Sequence, residues 1–291
     1  MNVISLFNGM GTLRQAFSDM NIKITKYYSS EIKPCAIELQ QYHFPDVIQV
    51  GDINKWREWN IDWKNIDFIG SGSPCQDLSK AGKRKGINGS RSKLFFVFVD
   101  ILNHVKSLNP NVKFLQENVG SAPKIDVGIM SRALGVYPIR FNSSLLTAQL
   151  RDRYYWSNIK MKQSGMFGDL ITDIPKPKDL GIMFRDIITG GHVDRDKSKC
   201  LLKGDYFTFI KDPIKEDKYL KSRIKKGKQI ANIVCDENRK VRTINKIEMC
   251  RLQGFPDNYC EILSKAKTSS LLGDGWTLPI IIHILSYNKN K

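Results

Sequence analysis

The chain lacks most of the marks of a metal centre or of an exported protein. Its six cysteines (Cys35, Cys75, Cys200, Cys235, Cys250, Cys260) are scattered, no two form a CxxC pair, and only four histidines accompany them. That spacing argues against a zinc site, so no metal is expected, and it fits reduced thiols in a cytoplasmic compartment. No basic stretch leads into a short apolar core and cleavage site, which argues against a signal peptide. No apolar run approaches the ~20 residues that span a bilayer, so no membrane partner is expected. Internal repeats and low-complexity tracts are also missing. Acidic residues are scarce beside basic ones, 29 against 46, for a net charge of +17. An excess of that size favours a polyanionic partner, because each phosphate neutralised by Lys or Arg releases a condensed counterion. Lys, Asn and Ile are abundant throughout, however, so composition alone also explains the charge. What is there, 41% hydrophobic residues in a chain of 291, suffices for a sizeable core in one or two domains.

The first 160 or so residues alternate strand-like and helix-like segments. Asn2–Phe7, Ile24–Glu31, Val47–Val50, Ile66–Gly70, Lys113–Leu115, Ile139–Asn142 and Tyr154–Asn158 read as strands. Thr12–Met20, Pro34–Tyr42 and Lys93–Val105 have helical spacing. Alternation of this kind predicts an α/β fold with a doubly wound, mostly parallel sheet. Ligands of such sheets bind beyond the carboxyl ends of the strands, and those ends carry Asn8–Thr12, Glu31, Asp52, Ser73–Gln76 and Glu117–Asn118. From about Lys160 to Lys240 the pattern gives way to Pro, Gly and basic runs, with short strands expected at Tyr206–Ile210 and Ile230–Val234. The expected organisation is therefore a catalytic domain over 1–161, a small second domain over 162–240, and a segment over 241–291 that returns to the first.

Several local features carry chemistry. Asn8-Gly9-Met10-Gly11 after the first strand is a turn that lets a ligand approach the backbone, although Arg14 breaks the full dinucleotide-binding fingerprint. Glu31, ending the second strand, suits the hydroxyls of a ribose, and Asp52 ends the third, so an adenosine-containing cofactor is indicated. In Ser71-Gly72-Ser73-Pro74-Cys75-Gln76 a cysteine follows a buried strand on a proline-shaped turn, with Lys80, Lys83, Arg84 and Lys85 close behind to favour its thiolate. An arbitrary cysteine in such a place is more often simply buried. Glu117-Asn118 faces the same opening, where a carboxylate can exchange a proton or bond the edge of a base. Gln149, Arg151 and Arg153 alternate with period two ahead of Tyr154-Tyr155-Trp156, which puts them on one face of an extended segment. A solvated edge strand would give the same pattern.

In order, the segments SLFNGMGT, SSEI, VGDI, GSPCQDLSKAGKRKG, LQENV, QLRDRYYW, RTINKIEMCRLQGFPDNY and LLGDGWTLP resemble the cytosine-5 DNA methyltransferase family over nearly the whole chain apart from its middle. SLFNGMGT, KLFFVFVDIL and LLGDGWTLPIIIHIL are closest in flavour to the family's de novo branch, whose members associate through their catalytic domains, so a homo-oligomer is compatible. The resemblance implies a Rossmann-like methyltransferase fold with a small target-recognition domain, S-adenosyl-L-methionine as cofactor and double-stranded DNA as partner. It places Phe7, Asn8, Gly9, Met10, Gly11 and Thr12 on the cofactor, with Glu31 on its ribose and Asp52 and Ile53 beside its adenine. Leu94 lines that pocket, and Asp274, Gly275 and Trp276 close it. Cys75 is the nucleophile that adds to carbon 6 of cytosine, Glu117 binds ring nitrogen 3 and the exocyclic amine, and Arg153, Arg151 and Gln149 hold the base. Pro74, Gln76 and Asn118 fall on the substrate side, with Ser79, Lys83, Arg84 and Arg91 as phosphate contacts. Two positions depart from the family pattern: Thr12 stands where many members have glycine, and Asp274 where many have asparagine.

The same resemblance makes 162–240 the target-recognition region. Its candidate DNA contacts are Arg195, Lys197, Lys199, Lys203, Lys221, Arg223, Lys225 and Lys226, of which most are expected to touch phosphate or water. A tRNA cytosine-5 methyltransferase is a second reading, disfavoured because the Cys-Phe-Thr segment of that branch is missing here. A catalytically silent DNA-binding relative is a third, and the intact Cys75, Glu117 and Arg153 speak against it.

Overall fold

In the computed structural model, which describes residues 1–74, 93–165, 168–201, 232–235 and 241–288, the apolar runs form the strands that their patterning predicts. The strands are β1 (Asn2–Leu6), β2 (Lys26–Ser30), β3 (Val47–Gln49), β4 (Phe68–Ser71), β5 (Lys113–Val119), β6 (Ile139–Asn142) and β7 (Asp152–Ser157). They join in one sheet of order β3-β2-β1-β4-β5-β7-β6. The pairs from β3 through β5 are parallel, whereas β7 runs antiparallel to both β5 and β6. The fold is thus a mostly parallel, Rossmann-like sheet flanked by helices.

Those helices are α1 (Thr12–Asp19), α2 (Pro34–His43), α3 (Lys93–Leu108) and α4 (Lys124–Leu134). Each has a local cause. Gly11, left-handed at φ 84°, precedes α1; Pro34 opens α2; Gly135, left-handed at φ 72°, ends α4. Helix α3 buries Phe95, Phe98, Val99, Ile101, Leu102 and Val105, the spacing of one helical face. That face packs with Ile4, Leu6, Tyr28, Ile69, Phe114 and Trp156 into the main core. Across the sheet, Val3 pairs with Tyr27 and Ser5 with Ser29, so that face turns polar toward the strand ends. No described helix is long and apolar enough to cross a membrane.

The chain divides into two compact units. The first comprises Met1–Asn142, Asp152–Pro177 and Leu278–Lys291, and so holds the whole large sheet, the small hairpin of β8 (Met161–Ser164) and β9 (Asp169–Thr172), and the last helix, Leu278–Leu285. The second comprises Ser143–Arg151 and Lys178–Thr277. It contains the two-stranded pair β10 (Ile233–Cys235) and β11 (Val241–Thr243), with α5 (Lys246–Gln253) and α6 (Lys265–Asp274). The last helix is α7. These divisions differ from the sequence expectation at both ends of the second domain. Residues 241–277 belong with it, and Met249, Cys250, Leu252, Leu271 and Leu272 among them are buried. The strand expected at Ile230–Val234 corresponds to β10, and the one expected at Tyr206–Ile210 lies outside the described residues.

Because Phe98 is fully buried and its neighbour Phe96 is 39% exposed, truncating them separates core packing from surface. Phe98→Ala is expected to cost about 3–5 kcal/mol in urea denaturation, and Phe96→Ala no more than about 1 kcal/mol.

Candidate active site

Leaving β1, the backbone turns sharply through Phe7, Gly9 and Gly11, which are all left-handed at φ 55°, 57° and 84°. For the two glycines this costs little; for Phe7 it stores about 1–2 kcal/mol of strain. The turn is held against the end of β2. The Asn8 N–H donates to the Ser30 carbonyl at 3.2 Å, and the Gly9 N–H donates to Glu31 Oε2 at 2.8 Å. Glu31 Oε1 accepts the N–H groups of Ile32 (2.8 Å) and Lys33 (2.9 Å) at the head of α2. A carboxylate offers about four acceptor positions, so three N–H donors leave room for a hydroxyl from a ligand. Nearby, Ser30 Oγ donates to the Gly51 carbonyl at 2.7 Å, tying β2 to the turn that carries Asp52. Asp52 Oδ1 accepts the Asn54 N–H at 2.9 Å, capping the short 3₁₀ turn Ile53–Glu58. Phe7, Val50, Ile53 and Leu94 pack in one apolar cluster beside these polar groups. Met10, Gly11 and Thr12 are buried at the start of α1. A mix of acceptor carboxylates and apolar surface can take the ribose and adenine of an adenosine-containing cofactor.

Beneath the turn lies a polar network that the sequence did not point to. Asn8 Oδ1 accepts Ser5 Oγ (2.7 Å) and Tyr27 Oη (3.0 Å), and Asn8 Nδ2 donates to Ser29 Oγ (3.0 Å). Burial pushes the Tyr27 hydroxyl well above its usual range, outweighing the bond with Ser5 and the nearby Arg14, so it stays a neutral donor.

A second constellation stands at the ends of β4, β5 and β7. Glu117 and Arg153 form an ion pair, Nε to Oε1 at 2.8 Å, with side chains only 11% and 14% exposed. The antiparallel register pairs Val119 with Arg153 and Glu117 with Tyr155, so Arg153 reaches Glu117 on the diagonal of one sheet face. Gly120 permits this approach: its N–H donates to the Asp152 carbonyl at 2.9 Å, and a Cβ there would lie 2.7 Å from the Asp152 carboxyl carbon. Either side of Glu117, Gln116 and Asn118 reach the same hydroxyl. Gln116 Nε2 donates to Ser73 Oγ at 2.8 Å and Asn118 Nδ2 at 3.2 Å. Ser73 is followed by the half-buried Pro74, the last described residue before Cys75, and so these bonds brace Ser73 against the strand of Glu117. Cys75, Gln76, Ser79, Lys83, Arg84 and Arg91 lie outside the described residues.

Gln149 and Arg151 fall in the second unit and Arg153 in the first, the chain passing between the two at Arg151–Asp152. Fully buried Gln149 donates from Nε2 to the Leu252 carbonyl (3.1 Å) and accepts the Leu201 N–H at Oε1 (2.7 Å). Arg151 donates to the carbonyls of Gly273 (3.2 Å) and Gly275 (2.6 Å), next to Asp274 and Trp276. Both organise the second unit. Of its candidate DNA contacts, Lys197 spends its ammonium on the carbonyls of Ser144, Thr147 and Ile182 at 2.8, 3.3 and 2.5 Å. Arg195 forks onto Asp194, holding that carboxyl below its usual range. Lys199 is half-buried, and Lys203, Lys221, Arg223, Lys225 and Lys226 lie outside the described residues. An open groove of about 560 Å³ is lined by Arg185, Gly190, Gly191, His192, Asp194 and Arg195, among others.

One wall of that groove hangs on Glu248, which is fully buried at the head of α5. It accepts the Thr189 N–H (2.8 Å), the Asn245 N–H (2.8 Å) and both terminal nitrogens of Arg242 (2.7 and 2.8 Å).

Residues 1–128 match the model of the C-5 cytosine-specific DNA methylase family. The type II methyltransferase M1.ScrFI of Lactococcus lactis subsp. cremoris is 28% identical over 306 residues, spanning 96% of this chain and 75% of that protein. Among solved structures, the Entamoeba histolytica methyltransferase EhMeth superposes with a TM-score of 0.68 at 17% identity, covering 99% of this chain and 97% of that one. A Spodoptera frugiperda DNMT2 mutant gives 0.62 at 18%, covering 99% of each chain. The match to the cytosine-5 DNA methylase family thus lies in residues 1–128, and over nearly its whole length the chain is similar to a type II methyltransferase.

Burial alone would raise the Glu248 carboxyl, but Arg242 first, then the N–H groups of Thr189 and Asn245, hold it below its ordinary 4.5. Its contribution to stability is therefore complete above pH 4.5 and is lost as pH falls through the depressed value. Glu248→Gln is expected to cost about 3 kcal/mol near neutrality, since Arg242 loses its buried partner. It should also flatten the acid side of a stability-against-pH curve measured by urea denaturation.

Proposed function

We propose that the protein transfers a methyl group from S-adenosylmethionine to carbon 5 of a cytosine flipped out of duplex DNA, through a covalent adduct at Cys75. The observation that carries this reading is the Glu117–Arg153 pair, on the strand whose Gln116 and Asn118 hold Ser73, two residues before Cys75. Flipping costs roughly a few kcal/mol, and the net charge of +17 favours the phosphates that hold the duplex.

In this reading the Cys75 thiolate adds to carbon 6, and the electron pair of the broken 5,6 double bond gathers at carbon 5. Glu117, steadied by Arg153, bonds ring nitrogen 3 and the exocyclic amine and so stabilises the charge that addition pushes onto the ring. When bound, the cofactor would supply an electrophilic methyl group on a sulfonium, with its neutral thioether as the leaving group. A base then removes the carbon 5 proton and Cys75 departs as thiolate, restoring the double bond. Glu31 would hold the ribose hydroxyls of the cofactor, with Asp52, Ile53 and Leu94 about its adenine and Phe7 to Thr12 beneath. Asp274, Gly275 and Trp276 are the further cofactor candidates. The basic segment 162–240, with the groove at Arg185–Asp196, is the candidate target-recognition region.

The test is methyl transfer from labelled S-adenosylmethionine to unmethylated duplex DNA and, separately, to tRNA, followed by nucleoside analysis. Label is expected as 5-methylcytosine in DNA, and Cys75→Ser is expected to keep cofactor binding while losing transfer by at least about 10³-fold. Label confined to tRNA would replace the DNA reading with the RNA-directed one. Cofactor binding without transfer to either would leave a silent DNA-binding relative.

A further inference from the structure

Helix α2 turns Ala36, Leu39 and Gln40 toward the sheet, and Gln40 is fully buried among them. An amide there costs stability unless its hydrogen bonds are made. They are made: one reaches the turn after β1 directly, one reaches it through Ser29, and one ties in Gln49 of β3. Gln40 Nε2 donates to the Gly9 carbonyl at 2.5 Å, while Oε1 accepts Ser29 Oγ at 2.7 Å and Gln49 Nε2 at 2.9 Å. Ser29 Oγ in turn accepts from Asn8, whose carbonyl accepts from Tyr27 and Ser5. The chain of bonds has one sense. The single proton of Ser29 goes to Gln40, and the Gly9 carbonyl can only accept, so the Gln40 nitrogen must face Gly9.

We propose that Gln40 is a positioning residue for the cofactor turn: it and Glu31 grip the two peptide groups flanking Gly9 and set the turn in its binding shape before S-adenosylmethionine arrives. The Gly9 N–H is held by Glu31 and the Gly9 carbonyl by Gln40. Gly9 sits at φ 57°, a conformation that glycine leaves easily, so restraint on both sides is what keeps the turn open-handed toward a ligand. Glu31 gains as well, because the N–H that fixes its Oε2 belongs to the restrained residue. Preorganisation of this kind lowers the ordering cost of binding and leaves the chemical step alone. The proposal rests on the cofactor reading above.

The experiment is isothermal titration of S-adenosylmethionine into the whole protein, beside Kd for duplex DNA and kcat at saturating cofactor. Gln40→Met keeps length and removes every bond; its Kd for S-adenosylmethionine is expected to rise about five- to tenfold. DNA affinity and kcat should stay within about twofold of wild type. Gln40→Glu supplies the conservative rescue. Ionised, it sets an acceptor against the Gly9 carbonyl and weakens cofactor binding; protonated, it donates there as glutamine does. Its cofactor affinity should therefore recover as pH falls from about 8 to about 6, a trend absent from wild type. Should Gln40→Met fold poorly, that pH-dependent recovery decides alone. Unchanged cofactor affinity in both variants, or equal loss of cofactor and DNA affinity, would overturn the proposal while leaving the site reading intact. A wild type that binds no S-adenosylmethionine would overturn both.

Discussion

The ion pair between Glu117 and Arg153 depends on one topological feature, the reversed strand β7 lodged between β5 and β6. In a wholly parallel sheet the residue beside Val119 would come from the end of a strand rising the same way, and its side chain would continue toward the loops. Running β7 antiparallel brings the start of that strand, where Arg153 sits, to the carboxyl end of β5. Two charges that are each about one-eighth exposed lose much of their hydration, and an apolar pair of similar size commonly stabilises a fold as well or better. The pair is therefore poorly explained by stability and well explained by a need for a fixed carboxylate at the mouth of the sheet.

Around it the strand ends share a common device. Buried side chains, most of them uncharged, fix the turns. Ser73 is gripped by Gln116 and Asn118, the Gly9 carbonyl by Gln40, and the Gly51 carbonyl by Ser30. Each bond is worth about 1 kcal/mol net, yet leaving any of these buried groups unpaired costs about 1–3 kcal/mol. The turns are consequently hard to deform without losing several bonds together, which is what a site that must meet two ligands in fixed geometry requires.

Much of this was legible in the sequence, and for physical reasons. Buried parallel strands are apolar runs ended by polar turns, so β1 to β5 and the strand-end residues Asn8, Glu31, Asp52 and Glu117 stood out. The direction and neighbours of β7 did not, because period-two alternation is the same for either sense of a strand. Alternation did separate Gln149 and Arg151 from the exposed Leu150. It gave no hint that these two bond within the second unit while Arg153 bonds Glu117, since those partners lie far along the chain. Gln40 and Ser29 were silent for a similar reason: a polar residue on a helix or strand reads as solvent-facing until the opposite wall is known. Gln40 had one faint signal, its place on the same helical face as Ala36 and Leu39. Helix α4 was missed although Pro123 and Gly135 bracket it.

The most direct measurement uses duplex DNA in which 5-fluorocytosine replaces cytosine. Fluorine at carbon 5 cannot leave as a proton does, so the elimination that follows methyl transfer must stall with the protein still bonded to carbon 6. A denaturant-resistant protein–DNA complex that forms only with S-adenosylmethionine present, and whose crosslinked peptide carries Cys75, is the expected result. Methylation of ordinary duplex DNA without any such complex, or a crosslink at another cysteine, would contradict the role given to Cys75 and with it the purpose assigned to Glu117 and Arg153.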